Sequence, residues 1–175
     1  MTMAIFIIEE KTKSHDLLAR ILYIKNPNSS PYGLTIAEYV SPLYPYDEMM
    51  LAKYCHLIEK NNTLNCRQYY EYIVSLYDYE SCQVQQFLDC VKDLVYFIAN
   101  FENSHYQTLA CIHTNTDNLH VHIIANNIDF FTGKRFYLSR PVFDRIKGGV
   151  NNIIQAHGFE RIIKWQYPDD EKSYK

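Results

Sequence analysis

No run of apolar residues in this 175-residue chain is long enough to cross a bilayer as a helix, and the first residues lack a secretory signal's basic start and small-residue cleavage site. Those absences exclude a helical membrane protein and predict a cytoplasmic location. Paired cysteine spacing is missing as well. Cys55, Cys66, Cys82, Cys90 and Cys111 are an odd number with no C-x-x-C step among them, which excludes a cysteine-based zinc ribbon and suits reduced thiols. Linkers, repeats and low-complexity tracts are absent, so residues 1–175 read as one domain large enough to bury a core. A basic excess is also lacking. The net charge of −3 and pI near 6.1 count against tight, sequence-indifferent binding to a nucleic-acid backbone. Basic residues gather locally instead, with Lys11, Lys13, Arg20 and Lys25 in the first segment and Lys134, Arg135 and Arg140 further on.

What is present is a concentration of imidazole. The segment His113-Thr114-Asn115-Thr116-Asp117-Asn118-Leu119-His120-Val121-His122 puts three histidines within ten residues, between apolar stretches patterned as strands. If Tyr106 to His113 and His120 to Ile128 pair as a hairpin around the polar turn, His113 and His120 face each other with Cβ atoms about 5 Å apart. Strand alternation puts His120 and His122 on one face and Val121 and Ile123 on the other. A single strand histidine usually bonds a carbonyl or water. Three on one half-buried face point to a divalent cation, which partners all of them at once. Two versions stay open: a three-ligand site with positions left for substrate, and a structural zinc site closed by Cys111, two residues before His113 on the same face.

The rest of the chain reads as α+β, with helices flanking a single antiparallel β-sheet. Ala4 to Lys11 patterns as a strand. Asp16 to Lys25 patterns as a helix capped by Ser14, with Leu17, Leu18, Ile21 and Leu22 on its core stripe and Tyr23 off that stripe, toward a cleft. Prolines 27, 31, 42 and 45 predict an irregular stretch. Asp47 to Lys60 is helical in pattern and Gln68 to Tyr77 strand-like. The clearest helix runs from Ser81 to Asn100, where Val84, Phe87, Leu88, Val91, Leu94, Val95 and Ile98 keep three-and-four spacing. After the hairpin come a short strand near Arg135 to Leu138, a helix from Pro141 to Gly158 with Gly148-Gly149 as a bend, and an edge strand over Phe159 to Trp165. His15, His56, His105 and His157 read as ordinary histidines. Tyr69, Tyr70, Tyr72, Phe130 and Phe131 read as packing residues rather than base contacts.

Two motifs resemble those of the relaxases, the DNA-strand transferases of conjugative and mobilizable plasmids within the broader HUH endonucleases. The family's histidine motif runs H-x-D-x-x-N-x-H-x-H, and this chain supplies His113, Asn118, His120 and His122 in register. Lys13 to Pro27, with its Tyr23-Ile24 pair, is similar to the family's first motif. Asn126 and the Thr132-Gly133-Lys134 turn add to a likeness that spans most of the chain. The resemblance implies an HUH-type relaxase nuclease fold, Tyr23 as nucleophile, and His113, His120 and His122 as ligands of Mn²⁺ or Mg²⁺, with Zn²⁺ as the other option. The implied partners are single-stranded DNA at a transfer origin, an accessory DNA-binding protein and a type IV coupling protein. Family relaxases are often longer, so the resemblance implies that residues 1–175 are a single nuclease domain without the C-terminal regions found in longer relatives. Two positions depart from the pattern. Asn115 stands where the family has an acid, and an amide cannot take a proton, leaving nearby Asp117 to substitute. Asn28-Ser29-Ser30 follows Pro27 where relatives often have Lys-Thr.

The chemistry of the residues agrees with that likeness. A cation opposite a scissile phosphate orients it and offsets developing charge, and a neighbouring positive group assists a phenol of ordinary pKa about 10. Attack would leave the 5′ phosphate on Tyr23 and free a 3′ hydroxyl. The expected activity is therefore a metal-dependent, site-specific single-strand DNA endonuclease and strand transferase, with Tyr23, Asp117 and Asn118 as catalytic residues. The alternatives are a replication initiator or transposase of the same superfamily, and a non-catalytic zinc-stabilised binding module.

Overall fold

The computed structural model describes residues 4–11, 14–30, 34–57, 68–76 and 83–166, with side chains from residue 16 onward. Strands β1 (Ala4–Lys11), β2 (Thr35–Glu38), β3 (Tyr69–Leu76), β4 (Tyr106–His113), β5 (Leu119–Asp129) and β6 (Lys164–Gln166) form one sheet in the order β2-β4-β5-β3-β1-β6. Every pairing is antiparallel except that of β6, which lies parallel to β1 at the edge. Helices α1 (Ser14–Ile24), α2 (Pro45–Leu57), α3 (Gln83–Ala99) and α4 (Arg140–Ala156) flank it.

Alternation along the strands makes two unlike faces. Tyr70, Tyr72, Val74 and Leu76 of β3, with Leu119, Val121 and Ile123 of β5, form an apolar face covered by α3 and α4. α3 buries Phe87, Cys90, Val91, Leu94, Val95 and Ile98, close to the stripe expected from its spacing. The opposite face carries Tyr69, Leu109, Cys111 and Ile124 under α1 and α2, and its turn end carries the histidines. Polar groups therefore sit at one end of the smaller core, where α1 finishes.

Several expectations need correction. Leu18 and Leu22 lie outside the α1 core stripe, which is Leu17, Ile21 and Ile24; Leu22 is 64% exposed. The true stripe follows i, i+4, i+7 spacing. The proline-rich stretch is not wholly irregular, because β2 forms within it and pairs with β4. The strand near Arg135 to Leu138 reduces to one bridge between Ile128 and Arg135. α4 runs unbroken through Gly148-Gly149. Gly149 instead permits close helix packing, since a Cβ there would come within 2.2 Å of the Phe97 ring of α3. Ser139 caps α4 by accepting from the Val142 amide at 3.4 Å, with Pro141 in the first turn. The Ser14 cap and His15 lie outside the described side chains, as do Lys11, Lys13, Cys66, Cys82 and Tyr77.

Candidate metal and nucleophile site

The β4–β5 hairpin has the expected register, with His113 opposite His120 and His122 opposite Cys111. The potential ligand atoms of His113, His120 and His122 lie within 4.8 Å of one another, forming the only such cluster of three or more found among the described residues. Each ring has one nitrogen already committed to an oxygen. His113 Nε2 donates to the Ile24 carbonyl at 2.8 Å, and His120 Nδ1 donates to the Asn118 carbonyl at 2.9 Å. His122 Nδ1 donates to Glu71 Oε1 at 2.8 Å. Because carbonyls and carboxylates only accept, these bonds fix the tautomers and leave His113 Nδ1, His120 Nε2 and His122 Nε2 unprotonated. His122 Nε2 is buried and has no hydrogen-bond partner. A buried acceptor left in that state is costly, and three converging lone pairs match the donor set of a divalent cation.

Protonation agrees with this. Burial pushes the His113 imidazole down to about 4, and the positive charge of nearby Arg20 acts in the same direction. Burial also lowers His120. Both rings are held neutral, the form that ligates.

Glu71 went unnamed in the sequence reading, yet it anchors the site from β3. Its side chain is fully buried, and Arg20 donates to both carboxylate oxygens at 2.8 Å. Burial raises the carboxyl, but bonds from His122 and Arg20 outweigh it and hold the group below the usual carboxylate range. Its signal was present: one acid inside the apolar strand run Tyr69–Leu76.

Tyr23 stands at the last turn of α1, 48% exposed. Its ring centroid is 5.8 Å from that of His113 and 5.7 Å from that of His122. The Arg20 guanidinium lies over the Tyr23 ring, 4.4 Å from its centroid, so one arginine touches both the phenol and the carboxylate behind the histidines. The structure thus brings together Tyr23, His113, His120 and His122. Asp117 lies exposed on the turn, and Asn118 meets the cluster through its carbonyl. Asn115 Nδ2 points to Ser29 Oγ at 3.4 Å, and the Thr114 amide donates to the Ser29 carbonyl at 3.0 Å, so the two departures from the family pattern touch each other.

Cys111 does not join the cluster. Its thiol is buried 3.5 Å from Thr35 Oγ1 and is not among the converging donor atoms. Asn126 donates to the Met49 carbonyl and to Gln107 Oε1, tying α2 to the sheet. Lys134 and Arg135 follow the far end of β5, seven to nine residues or roughly 20–30 Å beyond that strand's histidines, so the charge near the site comes from Arg20. The His56 ring bonds the Phe130 carbonyl and the His157 ring bonds Asp93, as ordinary histidines do, and the His105 backbone amide donates to Asp129 at 2.9 Å.

Residues 23–159 match the family of MobA/VirD2-like relaxase nuclease domains. Protein rlx of Staphylococcus aureus is 35% identical over 71 residues, which make up 38% of this chain and 22% of that protein. The chain thus spans only about a fifth of the length of that relative. Among solved structures, the MobM relaxase domain bound to 26-nucleotide pMV158 oriT DNA superposes with a TM-score of 0.62 at 16% identity, covering 93% of this chain and 90% of that one. A Mn-bound structure of the MobM relaxase domain with pMV158 oriT DNA gives 0.61 at 14% identity, covering 97% and 98%. A structure described as the molecular basis of vancomycin resistance transfer in Staphylococcus aureus gives 0.56 at 15% identity, covering 94% and 100%. At these identities the structural likenesses establish the fold.

Proposed function

The chain belongs to the MobA/VirD2-like relaxase nuclease-domain family, and on that premise we propose that it nicks and rejoins one DNA strand at a transfer origin, with Tyr23 as nucleophile. The carrying observation is the packing of the Tyr23 ring against His113 and His122, at one edge of the three-histidine cluster. His113 Nδ1, His120 Nε2 and His122 Nε2 would hold a divalent cation. When bound, the cation supplies positive charge opposite the scissile phosphate and offsets the charge that develops during attack. The Mn-bound relative supports Mn²⁺ as the ion to test first.

This chain's residues do the rest. Arg20 holds the Tyr23 ring from one side, its guanidinium 4.4 Å from the ring centroid. Tyr23 Oη attacks phosphorus, a Tyr–O–P bond forms and the P–O3′ bond breaks, leaving the 5′ phosphate on Tyr23 and a 3′ hydroxyl on the released strand. The phosphoester linkage is conserved, so the reverse attack rejoins the strand. Glu71 fixes the tautomer of His122 and is in turn fixed by Arg20. Asp117 is the proposed proton-transfer group in place of the acid missing at Asn115, and Asn118 orients His120. The partners in this reading are single-stranded origin DNA, an accessory DNA-binding protein and a type IV coupling protein.

The test is incubation with Mn²⁺ or Mg²⁺ and labelled single-stranded oligonucleotides tiled across the DNA flanking the gene. A denaturation-resistant protein–DNA adduct that is absent in Tyr23→Phe supports the proposal. No adduct from any tile overturns it.

A further inference from the structure

On the side of α1 turned away from the histidines lies a groove of about 580 Å³ between the end of α1 and the start of α2. Leu18, Leu22, Leu43 and Tyr44 line it, and Leu22, Leu43 and Tyr44 are 64%, 75% and 64% exposed. Lys25 and Asp47 stand at the same groove. These large apolar side chains line one groove together rather than lying scattered singly over the surface. The residues Leu18, Leu22 and Lys25 follow i, i+4, i+7 spacing, so one helix face builds one wall. Lys25 Nζ donates to the Pro42 carbonyl at 2.5 Å and ties the two walls together.

We propose that this groove holds an unpaired base of the same DNA strand that Tyr23 attacks, a few nucleotides from the scissile phosphate. The inference rests on the relaxase reading above. Leu22 is the residue before Tyr23, and α1 is only about 10 Å across, so a strand leaving the phosphate over the helix end meets the groove within a few nucleotides. Aliphatic walls beside a tyrosine take the face of a base, since stacking on an aromatic ring tolerates any base. The charged rim suits the same occupant. The Lys25 ammonium attracts the strand's phosphates, and the Asp47 carboxylate accepts from an exocyclic amine, whereas thymine offers only an N3–H flanked by two carbonyls that repel the carboxylate. The groove therefore favours cytosine, adenine or guanine over thymine at one position.

Binding of labelled single-stranded tiles is measured in the Tyr23→Phe background, where no adduct forms, and the tightest tile is then scanned with an abasic site at each position. One abasic position is expected to weaken binding roughly tenfold or more. That sensitivity should disappear in Tyr44→Ser and in Leu43→Ser, two exposed positions, while melting temperatures are unchanged. At the same position the parent should prefer an amino-bearing base over thymine, and Asp47→Asn, whose amide both donates and accepts, should lose the preference. If a tile binds and forms the Tyr23 adduct but Tyr44→Ser and Leu43→Ser keep the full abasic profile, the groove assignment is wrong and the relaxase reading stands. Changed self-association with an unaltered DNA profile also overturns it, in favour of a second copy as occupant. If no tile binds and no adduct forms, both readings fall together.

Discussion

Glu71 concentrates the energetics of the site in one carboxylate. A wholly buried acid is tolerable only because Arg20 and His122 both donate to it, and removing either partner would strand a desolvated charge. Glu71→Gln keeps the shape and one acceptor but loses the charge that fixes the His122 tautomer. Affinity for Mn²⁺, measured calorimetrically on chelator-treated protein, should fall about 10–100-fold in that variant. An unchanged affinity would show that Glu71 serves only the fold. Asp117 offers a cleaner separation of chemistry from structure, because it is exposed on the hairpin turn. Asp117→Asn should lower the rate of adduct formation by about 10²-fold or more with no change in melting temperature. An unaltered rate would remove Asp117 from the mechanism.

At the level of elements, the two adjacent glycines of α4 make opposite predictions. Gly148 has open space around its Cβ position, so Gly148→Ala should stabilise by about 0.5–1 kcal/mol through helix propensity. Gly149→Ala drives a methyl into Phe97 and should cost about 1–3 kcal/mol, with both changes read by urea melts. The end of β5 supplies a pH prediction. Burial raises the Asp129 carboxyl, but the amides of Thr132, His105 and Phe131 outweigh that and hold it below the usual carboxylate range. A depressed folded pKa gives stability that is present above the unfolded value near 4 and is lost as pH falls through the lower folded value. Asp129→Asn should therefore be about 1–3 kcal/mol less stable near neutrality and show a shallower acid limb than the parent, by circular dichroism. The same elements show what sequence can reveal. α3 and the hairpin were legible because seven apolar residues repeated at helical spacing and three histidines alternated at strand spacing. β2 was hidden because its four half-buried residues sit among prolines, and their pairing with β4 is a long-range event with no local signature. The parallel arrival of β6 beside β1 was hidden for the same reason.

For the whole molecule, an acidic net charge sits uneasily with the proposed DNA substrate, and the fold eases the conflict by placement. Arg20 lies on α1 over the tyrosine ring, whereas Lys134 and Arg135 stand at the other end of β5, so the positive charge that would attract a phosphate is local to the site. The clustering of His113, His120 and His122 beside Tyr23 was readable because each lies in a short motif. Glu71 was not, because its role depends on β3 pairing beside β5 and on α1 crossing both, which brings residues 51 positions apart into contact. The central claim is that this assembly makes Tyr23 a nucleophile toward DNA. The most direct measurement is mass spectrometry of the denatured adduct formed with a cleaved tile and Mn²⁺. The spectrum should show a 5′-phosphorylated DNA fragment on the peptide that contains Tyr23, with none formed by Tyr23→Phe. A fragment carried by another residue, or cleavage undiminished in Tyr23→Phe, would contradict it.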